Sequence, residues 1–167
     1  MKKIAFLVFL MNLILASTLS VTGQKVNFNG TWQLDVNKST LLEYTPSLLR
    51  INILIKADSL LTERVYEGGD GQQYPFTENL TLDGKEYKIT IYEMPRKAKV
   101  SWSEQDESLI LESVTTFYGD NGAEDFASKE IWKFDKSNNI FTISFKNKAS
   151  GGESEGTFIF NKVVQNL

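Results

Sequence analysis

Cysteine and histidine are both missing from the 167 residues of this chain. Without histidine there is no imidazole base and no Ser-His-Asp triad, and without either residue no common zinc site can form. The absence of cysteine removes thiol nucleophiles and disulfides, and also the lipid-bearing residue that a bacterial lipoprotein needs at its cleavage point. Only carboxylate chemistry and oxygen-ligated calcium survive as reactive or metal-binding options. Proline is scarce too, with three in the chain, and arginine is limited to Arg50, Arg64 and Arg96. These three are the side chains able to grip a carboxylate in a bidentate way.

Long apolar runs are confined to one place. Met1-Lys2-Lys3 is followed by an apolar stretch from Ile4 to Ala16, broken by Asn12, and then by small and polar residues. A positive start, a short apolar run and a small residue at Gly23 read as a secretory signal peptide over residues 1–23, leaving a mature domain of residues 24–167. Cleavage after Ser20 is the alternative. The run is shorter than the roughly 20 residues of a membrane-spanning helix, so no transmembrane segment is expected in the mature chain. Secretion or periplasmic residence follows as the expected location. The 18 basic residues include Lys2 and Lys3, whereas all 21 acidic ones lie beyond Gly23, which leaves 16 against 21 and a formal charge of −5. An acidic domain of 144 residues predicts one folding unit, a monomer, and no nucleic-acid partner.

No interval carries an amphipathic helix longer than two turns, and alternation takes its place. Leu49, Ile51, Ile53 and Ile55 share one face of a strand, and Leu60 to Glu67 forms the next, with Thr62, Arg64 and Tyr66 together on one side. Tyr74 to Leu82 leads to Asp83-Gly84, read as a type I′ hairpin turn into a strand from Glu86 to Glu93 that Met94-Pro95-Arg96 ends. Ala98, Val100 and Trp102 alternate after it. Further strands are expected at Leu109 to Tyr118, Phe126 to Phe134, Ile140 to Asn147 and Thr157 to Val164, and Leu41 to Pro46 is read as a helical turn or a loop across a barrel mouth. The fold class predicted is all-β, an antiparallel up-and-down meander of about 8–10 strands closing into a barrel.

The stretch Phe28-Asn29-Gly30-Thr31-Trp32-Gln33-Leu34 carries a more specific signal. Gly30 allows a tight turn into a strand whose Trp32 ring plugs the barrel floor. This Gly-x-Trp resembles the opening of the calycins, the lipocalins and fatty-acid-binding proteins, and the whole stretch resembles more closely that of secreted bacterial lipocalin-like proteins. Trp102-Ser103, Leu109-Ile110-Leu111 and Glu130-Ile131-Trp132-Lys133-Phe134 extend the resemblance over most of residues 26–164. It implies a lipocalin-like barrel and a binding role. Two departures stand out: the last strand, Phe158 to Lys162, has no Arg-x-Tyr carboxylate clamp, and no arginine follows Arg96 to cover the first-strand Trp. Lys162 is the nearest substitute for that arginine.

Candidate ligand-binding residues are Arg64, Tyr66, Trp102, Glu130 and Trp132, with rings supplying apolar area and Arg64 or Glu130 fixing orientation. The ligand expected is a small apolar or amphipathic molecule; no cofactor and no metal are expected, and catalysis is not. A glycosidase-like carboxylate pair from Glu112 and Glu130, and a calcium loop at Asp120 to Asp125, are the weaker options weighed. The other reading is a protein-interaction or inhibitor module of the cell envelope that acts through barrel-end loops without a small-molecule ligand.

Overall fold

The computed structural model describes residues 26–40, 47–120 and 122–163; the expected signal peptide and the Leu41 to Pro46 segment lie outside the described residues. Ten antiparallel strands form a single sheet: β1 (Gly30–Leu34), β2 (Ser47–Lys56), β3 (Ser59–Glu67), β4 (Gln73–Thr81), β5 (Tyr87–Ile91), β6 (Met94–Ser103), β7 (Ser108–Gly119), β8 (Gly122–Asp135), β9 (Ile140–Ala149) and β10 (Gly152–Lys162). Their order is β4-β3-β2-β1-β10-β9-β8-β7-β6-β5, and the sheet curls into a nearly closed barrel. Burial alternates along most of the strands, so one face of the sheet becomes the barrel interior.

The floor is aromatic. Trp32 and Phe28 are fully buried, the indole Nε1 of Trp32 donates to the Phe28 carbonyl at 2.8 Å, and Phe134 and Phe141 pack on the Trp32 ring at 5.3 and 5.5 Å between centroids. The hydrogen bond matters because a buried indole N–H without an acceptor is costly. Gly30 has φ of 138°, and a Cβ there would come within 2.9 Å of the Lys162 side chain. That close approach places the Lys162 ammonium over the Trp32 ring, 5.3 Å from its centroid. Lys162 thus covers the indole face of Trp32 as a cation.

Three local readings are corrected. Asp83-Gly84 does turn the chain, with Gly84 at φ of 77°, but it makes no hairpin, because β4 and β5 lie at opposite ends of the sheet. The turn instead docks on β6, through a bridge from Asp83 to Ser101 and a bond from the Gly84 N–H to the Val100 carbonyl at 3.0 Å. Local turn chemistry specifies a bend and leaves the partner to the rest of the fold. Pro95 does not end a strand either; Tyr92 and Glu93, with φ of 48° and 68°, make the two-residue turn and Pro95 sits within β6. Pairing of β6 with β7 starts at Arg96, so the missing N–H of Pro95 interrupts no ladder there. Lastly, a bulge in β2 between Leu48 and Arg50 turns Leu48 inward instead of Leu49.

The seam between the sheet's ends is stitched by side chains. Thr81 and Tyr87 hydroxyls meet at 2.9 Å, Tyr92 donates to the Pro75 carbonyl, Tyr74 and Tyr92 rings meet edge to face, and Glu78 of β4 pairs with Arg96 of β6 at 2.7 Å.

Candidate functional site

Inward-facing positions change character along the barrel. Next to the floor, register aligns Trp102, Leu109, Trp132 and Ile143, and the following course aligns Val100, Leu111, Glu130 and Phe145. The course beyond is made of small side chains, Ala98, Ser113, Ser128 and Asn147. Arg96, Thr115 and Phe126 form the next one outward. A hydrophobic base therefore gives way to a polar section halfway along the interior.

Four charged groups meet in that polar section. Arg64 binds Glu130 in a bidentate way, Nη1 to Oε1 at 2.8 Å and Nη2 to Oε2 at 2.9 Å. Glu78 receives the Arg96 Nε at 2.7 Å and lies 3.8 Å from the Arg64 Nε. Arg96 also donates to the Thr115 hydroxyl at 3.1 Å, and the Trp132 indole donates to Glu130 at 2.7 Å. Two guanidiniums and two carboxylates make the cluster neutral, which is what permits four charges inside a barrel at all. Exposure is unequal: the side chains of Arg64 and Glu78 are 1% exposed, those of Arg96 and Glu130 9% and 10%.

Rings enclose the cluster. The Arg64 guanidinium lies 5.2 Å from the Trp132 ring centre and donates to the Tyr66 hydroxyl at 3.2 Å, while Tyr66 stacks on Phe76 at 5.7 Å. Burial would push the Glu130 carboxyl up, but the Arg64 charge, its hydrogen bonds and the Trp132 N–H hold it below the ordinary value. Burial would likewise pull Arg64 down, and the Glu130 carboxylate beside it instead raises it well above its usual value. Burial, reinforced by Glu130, raises the Tyr66 phenol.

Of the five residues singled out in the sequence, Arg64, Tyr66, Glu130 and Trp132 come together in this cluster. Trp102 does not join it; half-buried, it packs against Phe28 at 6.4 Å on the floor side. Glu78 and Arg96 are the two members that sequence reasoning missed. Their signal was present: Glu78 falls in step with Phe76 and Leu80, and Arg96 with Ala98 and Val100, so each charge sits at an apolar position of its strand. Reading Pro95 as a terminator hid Arg96.

The weighed carboxylate pair is not formed. Glu112 lies opposite Lys129 and Glu130 opposite Leu111, a one-residue offset that puts the two carboxylates on opposite faces of the sheet. Glu112 pairs outside with Lys99 at 2.8 Å. Among the described residues no three carboxylates gather as a metal-ion cluster.

Two concavities mark the outer wall. One, of about 410 Å³, crosses β6 to β9 among Lys97, Lys99, Glu112, Lys129, Lys146 and Lys148, and the other, of about 430 Å³, adjoins it between Lys88, Pro95, Thr116 and Asp125. At the end opposite Trp32, the β7–β8 hairpin exposes Phe117 (43%) and Tyr118 (68%). No protein-family model matches the chain and no curated protein matches its sequence, so what relates it to the lipocalin-like barrels is its nearly closed ten-stranded antiparallel barrel.

Proposed function

We propose that this chain is a secreted, non-catalytic binding protein that holds a small, partly apolar molecule in the barrel section beyond Glu130, toward the end opposite Trp32. The observation that carries this reading is the buried Arg64-Glu130-Glu78-Arg96 cluster, ringed by Tyr66, Phe76 and Trp132. Paired charges in a barrel core stabilise less than well-packed apolar groups of the same volume, so such a cluster is better accounted for by recognition than by stability. Ser113, buried on the same interior, has a hydroxyl without a hydrogen-bond partner in the protein, and the Arg64 Nε makes only its 3.8 Å approach to Glu78. The charged start and apolar run of residues 1–16 support export, and the lack of histidine and cysteine supports binding over catalysis. Native mass spectrometry of protein purified after export tests the reading. A retained small molecule is the expected result, with a mature N-terminus at Gln24; a full-length chain in the membrane fraction argues against export.

Exposed Phe117 and Tyr118 favour a second reading, in which the β7–β8 hairpin docks on another protein. Under it, Phe117→Ala and Tyr118→Ala abolish complex formation in the exported compartment while the interior cluster is immaterial.

A further inference from the structure

We infer that the slot between β4 and β5 is a docking site for an extended segment of another polypeptide, which adds a strand between the two ends of the sheet. The slot lies in the barrel wall, apart from the interior cluster and from the β7–β8 hairpin.

Topology is the first ground. β4 and β5 are the ends of the sheet, and among the described residues no strand pairing joins them, so their free edges face each other across the seam. Tyrosines set the spacing. Tyr92 reaches from the β5–β6 turn to the Pro75 carbonyl, and Tyr87 reaches from β5 to the Thr81 hydroxyl. A whole phenol therefore lies between backbones that direct pairing would hold about 4.8 Å apart. Toward the floor the slot is shut, where Gly84 and Asp83 dock on Val100 and Ser101. Toward the opposite end the Tyr74 and Tyr92 rings cross it, edge to face.

The main-chain groups on both edges are the second ground. Ile91 and Met94 close a two-residue turn and so exchange hydrogen bonds, which makes Thr90 and Pro95 a non-hydrogen-bonded pair. Pro95 is accommodated there because it has no N–H to give. By alternation the N–H and C=O groups of Lys88 and Thr90 point away from β6 and into the slot. On β4 the Pro75 carbonyl faces the slot, since it accepts from Tyr92, and the same alternation turns the main-chain groups of Thr77 and Asn79 that way. Tyr92 thus supplies to Pro75 the donor that a neighbouring strand would give.

These edges define the occupant. Two facing rows of alternating donors and acceptors match a polypeptide backbone, as in strand addition, and neither a lipid nor a sugar repeats at that spacing. A folded second copy cannot bring its own edge in, because that edge is attached to a sheet and the slot is bounded on both sides. Side chains set the pattern of the segment. Half-buried Phe76, Ile89 and Ile91 offer apolar contact inward, while Thr77, Asn79, Lys88 and Thr90 are exposed and polar on the outside. The segment that fits is as long as β5, five residues, with apolar side chains at alternate positions.

The test uses the whole protein and short capped peptides in which threonine alternates with valine, leucine or phenylalanine. Amide hydrogen exchange followed by NMR reads the site. In the free protein the amides of Thr77, Asn79, Lys88 and Thr90 are expected to exchange fast, and bound peptide is expected to slow them about tenfold or more. Methylating alternate peptide nitrogens removes the donors to one edge and is expected to abolish binding. Tyr92→Phe frees the Pro75 carbonyl while keeping a ring against Tyr74, and is expected to tighten binding about threefold. Slow exchange of these amides in the free monomer overturns the inference, and so does peptide binding that leaves them unprotected or that the methylated peptides share. Protection that grows with protein concentration in the absence of peptide gives the slot to a second copy and overturns the partner assignment. No binding across the panel overturns the docking site.

Discussion

Replacing Glu130 with Leu leaves the Arg64 guanidinium sealed in the barrel without its bidentate partner, and the Trp132 indole without its acceptor. Breaking one side of a buried pair in this way costs about 3–5 kcal/mol, a large share of the roughly 5–15 kcal/mol that holds a domain of this size together. Arg64→Leu should cost a similar amount, since Glu130 is then the stranded charge. The double variant removes both charges and leaves Glu78 its 2.7 Å pair with Arg96, so its loss should fall well short of the two single losses added together. Urea unfolding followed by tryptophan fluorescence reads this directly; at a slope of about 2 kcal/mol per molar, each single variant should lower the midpoint by about 2 M. Acid adds a second signature. Because the Glu130 carboxyl is held below its ordinary value when folded, its contribution is complete above the ordinary glutamate range and is lost as pH falls through the lowered folded value. The acid-dependent loss of stability should therefore be smaller in Glu130→Leu than in the unmodified protein, the rest coming from other carboxylates such as Asp35 and Asp135 that are also held below their ordinary values. A single-variant cost below about 1 kcal/mol, the size found for exposed pairs, refutes the reasoning and means that the cluster is solvated.

Trp32→Ala should destabilise by about 3–5 kcal/mol in chemical denaturation, because a fully buried ring is removed from the floor. Trp132→Ala should cost as much, since Trp132 is equally sealed, whereas half-buried Trp102→Ala should cost less. Gly30→Ala should cost about 1–3 kcal/mol, measured the same way, because φ of 138° strains any side-chain-bearing residue. The Tyr66 phenol is raised on folding, so its contribution is intact below the ordinary tyrosine range and lost as pH rises through the raised folded value; Tyr66→Phe should flatten that alkaline loss in a pH series of thermal unfolding.

Period-two alternation made the strands legible and the Gly30-Thr31-Trp32 signal made the floor legible, because both depend on local backbone geometry. Alternation also put Arg64 and Tyr66 on one face and Glu130 and Trp132 on another. It was silent on their meeting, since β3 and β8 are brought together only by closure of the barrel. The same limit explains Asp83-Gly84: its residues dictate a turn, while the strand that receives the chain is chosen by the seam. Gly152 to Gly156, outside the last strand expected from Thr157, is strand because its backbone pairs with Phe145 to Ala149, and glycine-rich composition says little about a ladder held by main-chain bonds.

The pairing of β1 with β10 joins two meanders, β1 to β4 and β5 to β10, and among the described residues it is the one strand pairing that is not between chain neighbours. Val163 already donates its N–H to the Thr31 carbonyl at 2.8 Å, so the first and last strands end close together. Linking Val163 to Val26 and opening the chain beside Gly84 gives a circular permutant in which every strand pairs with the next one in sequence. Its two termini then sit on the sheet's two free edges. Lower contact order should make this permutant fold faster than the parent chain, with the side-chain stitches between β4 and β6 left to close last.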